Sequence, residues 1–339
     1  MKHTVYILVS LTVTAGALVY ALWDINLLSL SALFSNLHYS TALPFLVMLT
    51  MFYWLKARRW SLLLHPIGNF KWFQVAPAMM IGFGANNILP AHLGDILRFV
   101  VFARQFKLPF TGIFTSLILE RFLDITAILI LFFTGALSMG KTPEPLRVSA
   151  WIAFGFLSAA GLVIAGILYR QKMVISLWEK LSMKLPHSWQ TRGDSTLQNI
   201  ILALSAVKSV STIATLFINS LIQWLVMAVM IWLSFRAFDV PVLPGITLIV
   251  LAASALAVTV PSAPGYAGAM QAAFVFALTP FGIAGETAFA ASVFFMLAQW
   301  VPVTLIGAYF FFKSGLKAGE LHRDVEYAEG VITHSARWE

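Results

Sequence analysis

The sequence predicts an all-α polytopic membrane protein with about six full transmembrane helices plus two interrupted, re-entrant hairpins of opposite orientation. Three observations carry this. The 339-residue chain is 60% hydrophobic and 11% charged, whereas a soluble domain carries roughly 25% charged residues. Its apolar residues fall in runs of about 20, the length a helix needs to cross the hydrocarbon core. Two of those runs are broken by Gly, Pro and polar residues. Non-helical backbone at membrane depth is tolerated only where protein buries it or it lines a wet cavity.

The first helix is expected from Thr4 to Trp23. No small-residue cleavage site follows it convincingly, so it reads as a retained helix. The loop at 24–40 has no Lys or Arg. The second helix, Thr41 to Leu55, ends in Lys56, Arg58 and Arg59, and the positive-inside rule places that basic end in the cytosol of a cytoplasmic membrane. From Trp72 to Phe106, a single crossing would leave Arg98, Arg104 and Lys107 outside. A hairpin that enters and returns keeps them with Arg58, Arg59 and Lys71.

A long helix is expected from Phe110 to Ser138, and another from Val148 to Tyr169 after a short outer loop. Residues 172–208 read as a cytosolic or interfacial helical insertion. Within it Met173, Val174, Leu177, Trp178 and Leu181 recur at helical spacing beside Lys172, Lys180 and Lys184, as in a helix lying on the inner leaflet; a packed helical hairpin fits equally well. Ser211 to Phe235 crosses outward. Residues 244–280 are apolar but broken at Pro261–Gly268, as a re-entrant hairpin or as two short crossings, and Thr287 to Phe312 crosses inward. Residues 1–315 thus form one transmembrane domain, with both termini cytosolic and a polar cytosolic tail at 316–339. A pair of Gly/Pro-interrupted segments in corresponding halves points to a transporter site built from inverted repeats. The symmetry is inferred from hydropathy, since no residue-level repeat is visible.

The net charge of +8 is no nucleic-acid signature, because the surplus Lys and Arg lie in loops, where they set topology. With no cysteine, disulfides, thiolate catalysis and cysteine-ligated metals are excluded. No dinucleotide-binding glycine pattern, P-loop, zinc-ligand helix or nucleophile elbow occurs, and no cofactor is implied.

The polar residues at membrane depth concentrate in three places. The first is residues 82–98, a stretch written like a loop, with Asn86, Asn87, Pro90, His92, Gly94, Asp95 and Arg98. If a half-helix begins near Gly94, Asp95 and Arg98 sit at i and i+3 and can pair along one face. Free backbone N–H groups at its start would attract an anion. The second is Glu120, Arg121 and Asp124. Glu120 lies about 15 Å into its helix at 1.5 Å per residue, near the midplane of a core about 30 Å thick. Carboxylates there need a cation, which Arg98 or Arg121 can supply. The third is Pro261–Gly268, where Pro264, Gly265 and Gly268 permit a tight break and Gln271 follows as a polar side chain. The competing readings are structural: a kinked helix, an ion-pair network that ties segments together, and a packing kink.

In order and separation these motifs resemble the flippase-like transmembrane region of lysylphosphatidylglycerol synthases and its stand-alone relatives. The resemblance runs over roughly residues 5–315. It rests on Arg59, Asn86-Asn87 to Pro90, Gly94-Asp95-x-x-Arg98, Glu120-Arg121-x-x-Asp124 and Pro261-x-x-Pro264-Gly265-x-x-Gly268. The chain departs from the family at Asp95 (usually Glu), Tyr266 (usually Gly), Gln271 (usually Glu) and His92 (often Arg). The soluble aminoacyl-transferase domain of the synthases is absent from this sequence. The resemblance implies moving a lipid between leaflets rather than making an aminoacyl lipid.

The expected partner is a membrane lipid with an anionic head group, such as a phospholipid or a polyprenyl-phosphate-linked lipid. Arg98, Arg121 and Arg59 would meet its phosphate, while Asn86 and Asn87 donate hydrogen bonds. Arg59, Arg98 and Arg121 balance Asp95, Glu120 and Asp124, so this polar set is formally neutral. Two other classes compete with a carrier. One is a membrane transferase acting on a lipid phosphate, with Glu120 or Asp124 as base and His92 assisting. The other is a non-transporting partner of a lipid-synthesis enzyme. The two broken segments, about 170 residues apart, are expected to meet near the midplane.

Overall fold

The computed structural model describes residues 2–23, 25–65, 67–89, 93–108, 110–139, 170–183, 210–259 and 264–315, with isolated residues between 144 and 197. Pro90, His92, Pro261, the tail at 316–339 and most of the expected helix at 148–169 lie outside the described residues. The described residues form helices and turns, with no strand among them. In chain order the helices are α1 (Lys2–Leu22), α2 (Leu27–Ser35), α3 (Ala42–Leu63), α4 (Trp72–Ile88), α5 (Leu93–Phe106), α6 (Phe110–Ser138), α7 (Gln171–Ser182), α8 (Val210–Arg236), α9 (Pro244–Thr259), α10 (Ala269–Leu278) and α11 (Gly285–Lys313).

Among the described residues, four segments are long and apolar enough to cross a membrane: Tyr39–Leu63, Leu119–Ser138, Ser211–Arg236 and Gly285–Lys313. They belong to α3, α6, α8 and α11. The short helices come as two pairs. Helices α4 and α5 pack closely against each other, as do α9 and α10. At 17 and 14 residues, α4 and α5 are about 25 and 21 Å long at 1.5 Å per residue, less than a core about 30 Å thick.

One pattern occurs twice: a long helix, two short ones, then a long helix. It runs α3-α4-α5-α6 and again α8-α9-α10-α11. The first members of the two sets are antiparallel. The His38 N–H donates to the Ala237 carbonyl at 2.9 Å, and Arg59 donates to Ser220 Oγ at 2.8 Å, so the start of α3 meets the end of α8. The packing is reciprocal as well. Helix α11 packs on α4, and α6 packs on α9.

Each reciprocal contact has a glycine on both sides. A Cβ at Gly84 would stand 3.1 Å from Gly307 Cα, and one at Gly307 would stand 2.6 Å from the Met80 carbonyl. A Cβ at Gly135 would stand 2.7 Å from the Gly245 carbonyl. Small residues let helix backbones approach where lipid offers no hydrophobic drive for association. Aromatic side chains fill the core on both sides: Phe45 meets Phe294 and Phe295, and Phe274 meets Phe235.

Two sequence expectations need correction. Helix α3 does not stop at Leu55; it continues to Leu63. Lys56 and Arg59 are buried within it, and only Arg58 of that basic cluster faces outward. The cations continue the helix because carboxylates on α6 stand opposite them. The loop-like stretch at 82–98 is also mostly helical. Helix α4 runs through Gly82 and Gly84 to Ile88, and α5 begins at Leu93. A Cβ at Gly94 would run into the Gly82 carbonyl oxygen, so these glycines bring α4 against α5.

The second break holds three left-handed residues, Gly265 (φ 72°), Tyr266 (φ 61°) and Gly268 (φ 81°). A left-handed backbone suits glycine and costs other residues roughly 1–2 kcal/mol, which Tyr266 bears. The two breaks meet. The turn Pro264–Tyr266 packs against α4. The Trp300 indole N–H donates to the Asn87 carbonyl at 3.2 Å, and a Cβ at Gly265 would stand 2.6 Å from the same indole nitrogen.

The glycine contacts generate a test. Gly307→Leu should force α11 off α4 and lower stability by about 1–3 kcal/mol, the usual range for overpacking. Gly16→Leu on α1 should change nothing, because Gly16 has no neighbour within 4 Å of an added Cβ. Thermal unfolding of the two variants in detergent reads the difference.

Candidate functional site

Helices α3, α5 and α6 bring seven charged side chains into one cluster beside the meeting breaks. Glu120 is at its centre. It accepts from Arg98 Nη2 at 3.0 Å, and its other oxygen lies 3.2 Å from Lys56 Nζ and 3.5 Å from Arg59 Nη2. Asp124, one turn along α6, pairs with Arg59 Nη1 at 2.6 Å and Lys56 Nζ at 3.6 Å. It also accepts from the Trp224 indole N–H at 2.8 Å, which draws α8 into the cluster. Asp95 pairs with Arg121 and accepts from Asn86 Nδ2 at 3.1 Å.

Asp95 and Arg98 therefore do not pair with each other along α5. Each reaches across to α6 instead, Asp95 to Arg121 and Arg98 to Glu120. The i, i+3 spacing places both residues on one face, and that face is covered by α6, whose opposite charges outcompete the local pair.

Lys56 was missed as a site residue, because a lysine beside Arg58 and Arg59 reads as a helix-ending basic cluster. Its burial changes the charge balance. Lys56, Arg59, Arg98 and Arg121 stand against Asp95, Glu120 and Asp124, so the set carries one cation in surplus rather than being neutral. Ser220 and Trp224 were missed too; a lone hydroxyl or indole inside an apolar helix carries no sequence signal of its partner.

The four cations differ in access. Arg59 and Arg98 are 0% and 1% exposed. Arg98 Nε and Nη1 have no hydrogen-bond partner; its guanidinium carbon lies 4.9 Å from the ring centre of Phe99, 5.1 Å from Trp60 and 5.4 Å from Phe83. These cation–π contacts offset part of its desolvation. The Arg121 side chain is 51% exposed while its partner Asp95 is 10%. Arg121 lies about 16 Å along α6 from Phe110 at 1.5 Å per residue, so a guanidinium reaches the molecular surface well inside that helix. Tyr266, from the second break, is within electrostatic range of both Asp95 and Arg121.

The remaining candidates hold the frame of the site. Asn87 donates to Thr304 Oγ1 at 2.9 Å and to the Trp300 carbonyl at 3.3 Å, fastening the tip of α4 to α11. Gln271 Oε1 accepts the Gly268 N–H at 2.7 Å and so caps the start of α10. Gly268 lies close against the Thr14 carbonyl of α1. His92 lies outside the described residues.

Helices of membrane length, paired short helices and a buried charged cluster define a polytopic helical membrane protein with a polar interior. The family model described as the lysylphosphatidylglycerol synthase TM region matches residues 7–307, and the chain belongs to that family. It is also similar to a UPF0104 membrane protein of Methanocaldococcus jannaschii, at 23% identity over 227 residues, which is 67% of this chain and 92% of that protein. No solved structure matches the chain.

The cluster geometry sets an order of sensitivity. Glu120→Gln leaves three buried cations without their shared carboxylate and should cost about 3–5 kcal/mol, as breaking a buried pair does. Arg121→Gln should cost clearly less, because the amide can still donate to Asp95 and the side chain is half exposed. Denaturant titration of the two variants in detergent checks the ranking.

Proposed function

We propose that the chain is a lipid flippase: a carrier, not an enzyme, that moves an anionic, phosphate-bearing lipid between leaflets. The observation that carries this is the Arg121–Asp95 pair, the one edge of the buried cluster where a cation opens to the surface, placed beside two helix breaks that meet. A head-group phosphate would take the place of the Asp95 carboxylate on Arg121, while Asp95 keeps Asn86 as donor. Acyl or prenyl tails would stay in the bilayer.

Several features support the reading. Intramembrane ionisable residues are costly and mark substrate paths by default. Helix interruptions in two oppositely oriented halves are how many carriers build a midplane site. On this reading α4-α5 and α9-α10 are re-entrant hairpins that enter from opposite sides, and the halves are inverted repeats. The basic residues Arg58, Arg104, Lys107 and Lys313 then face the cytosol of a cell membrane. The surplus cation favours a head group with one negative charge, since its binding neutralises the set.

The test is transport by the purified chain in vesicles of phosphatidylglycerol and phosphatidylcholine, using fluorescent lipids and a membrane-impermeant quencher. The wild type should move the phosphatidylglycerol probe, and Arg121→Gln should lower that rate at least about tenfold, the loss of one charge-assisted contact of 1.5–3 kcal/mol. Equal rates for wild type and Arg121→Gln would overturn the proposal. A covalently altered lipid recovered from the vesicles would favour the transferase reading instead.

A further inference from the structure

A second feature stands apart from the charged cluster. A cavity of about 400 Å³ opens between α4, α5 and α11 at the basic end of the bundle. Its floor is apolar, made by Pro77, Ile81, Val101 and Phe310, and its rim carries Arg104 and Lys313. Arg104 lies six residues beyond Arg98 on α5, about 9 Å further along the axis. Both rim cations occupy the last turn of their helices, where the helix dipole favours a positive charge. The dipole explains their sign, but not the apolar cavity between them.

We infer that this cavity is a docking site for an anionic phospholipid of the leaflet at the basic end, with its phosphate between Arg104 and Lys313 and the start of one acyl chain on the apolar floor. Three observations converge on that occupant. The volume falls in the range of small-ligand sites. The rim is cationic and exposed, which suits a phosphate. The floor is apolar and lies at the ends of α5 and α11, where a lipid's own polar-to-apolar boundary falls. A soluble anion would use the rim and leave the floor wet; a lipid covers both. The site does not require transport, yet it gives the carrier reading a loading station on the side of the α4-α5 hairpin.

Native mass spectrometry of the full chain in zwitterionic detergent tests this, with phosphatidylglycerol and phosphatidylcholine as competing probes. The wild type should retain phosphatidylglycerol preferentially. Arg104→Ala with Lys313→Ala should lower that preference by about thirtyfold, the effect expected of two cations near an anionic head group. Gln105→Trp, which fills the mouth without changing charge, should lower occupancy by either lipid. Arg58→Ala should keep the wild-type preference, since Arg58 is an exposed cation of the same basic end lying over Trp54. All substituted side chains are exposed, and a thermal melt verifies the fold of each variant. Unchanged phosphatidylglycerol retention in the double variant, an equal loss in Arg58→Ala, or full displacement by inorganic phosphate would overturn the site. In an Arg121→Gln background the Arg104- and Lys313-dependent part of phosphatidylglycerol retention should persist, so failure of docking and failure of transport are read separately.

Discussion

Burying charge in an apolar bundle is the constraint on which the rest of the structure depends. Lys56, Arg59, Arg98, Asp95, Glu120 and Asp124 are all removed from solvent, and each ion moved to a low-dielectric interior loses several kcal/mol of hydration. Coulomb attraction offsets that loss only with close, multiple partners. Glu120 and Asp124 supply this by sitting one helical turn apart, facing α3 on one side and α5 on the other. Helix α3 therefore runs on past its basic residues, α5 turns its charged face inward, and Ser220 and Trp224 of α8 add hydrogen bonds to Arg59 and Asp124. Through those two side chains the cluster also joins the first half of the chain to the second.

The second consequence concerns backbone. A helix that stops inside a bilayer leaves N–H and C=O groups with no lipid partner. Helix α4 and the turn Pro264–Tyr266 answer this by packing against each other. Trp300 serves the Asn87 carbonyl, Asn87 serves Thr304, and Gln271 serves the Gly268 N–H. The glycine contacts of α4 with α11 and of α6 with α9 make the meeting feasible, because bulkier residues would hold the helices too far apart. Stability and the candidate site thus share residues. Asn87 and Gln271 are fasteners of the frame, whereas Arg121 is the cation of the cluster whose side chain is exposed.

How far the sequence could be read follows from what each feature needs. Composition and apolar run length are local and announce a helical membrane protein directly. The helix breaks were visible as Gly, Pro and Asn, but their extent was overestimated at the first, because Gly82 and Gly84 look like breakers when counted and act as close-packing surfaces when folded. The members of the charged cluster were nameable from their depth in apolar runs; their pairing was not. Asp95 and Arg98 are ideal partners by spacing, and only the arrival of α6 redirects them. Lys56 stayed hidden because a cation near a helix end has two opposite meanings, a cytosolic anchor or a buried partner, and the carboxylates that decide between them lie over sixty residues away. Tyr266, read from the resemblance as standing where Gly is usual, proves to be left-handed, a geometry that spacing and hydropathy do not reveal.

The central claim is that Arg121 exchanges an internal carboxylate for a lipid phosphate. Solid-state NMR of the protein in phosphatidylglycerol bilayers measures this directly, through dipolar coupling between guanidinium ¹⁵N of labelled arginine and lipid ³¹P. A coupling that vanishes in Arg121→Gln while the signal from Arg104 persists is the predicted result. An arginine-to-phosphorus coupling that is unchanged in Arg121→Gln would contradict it.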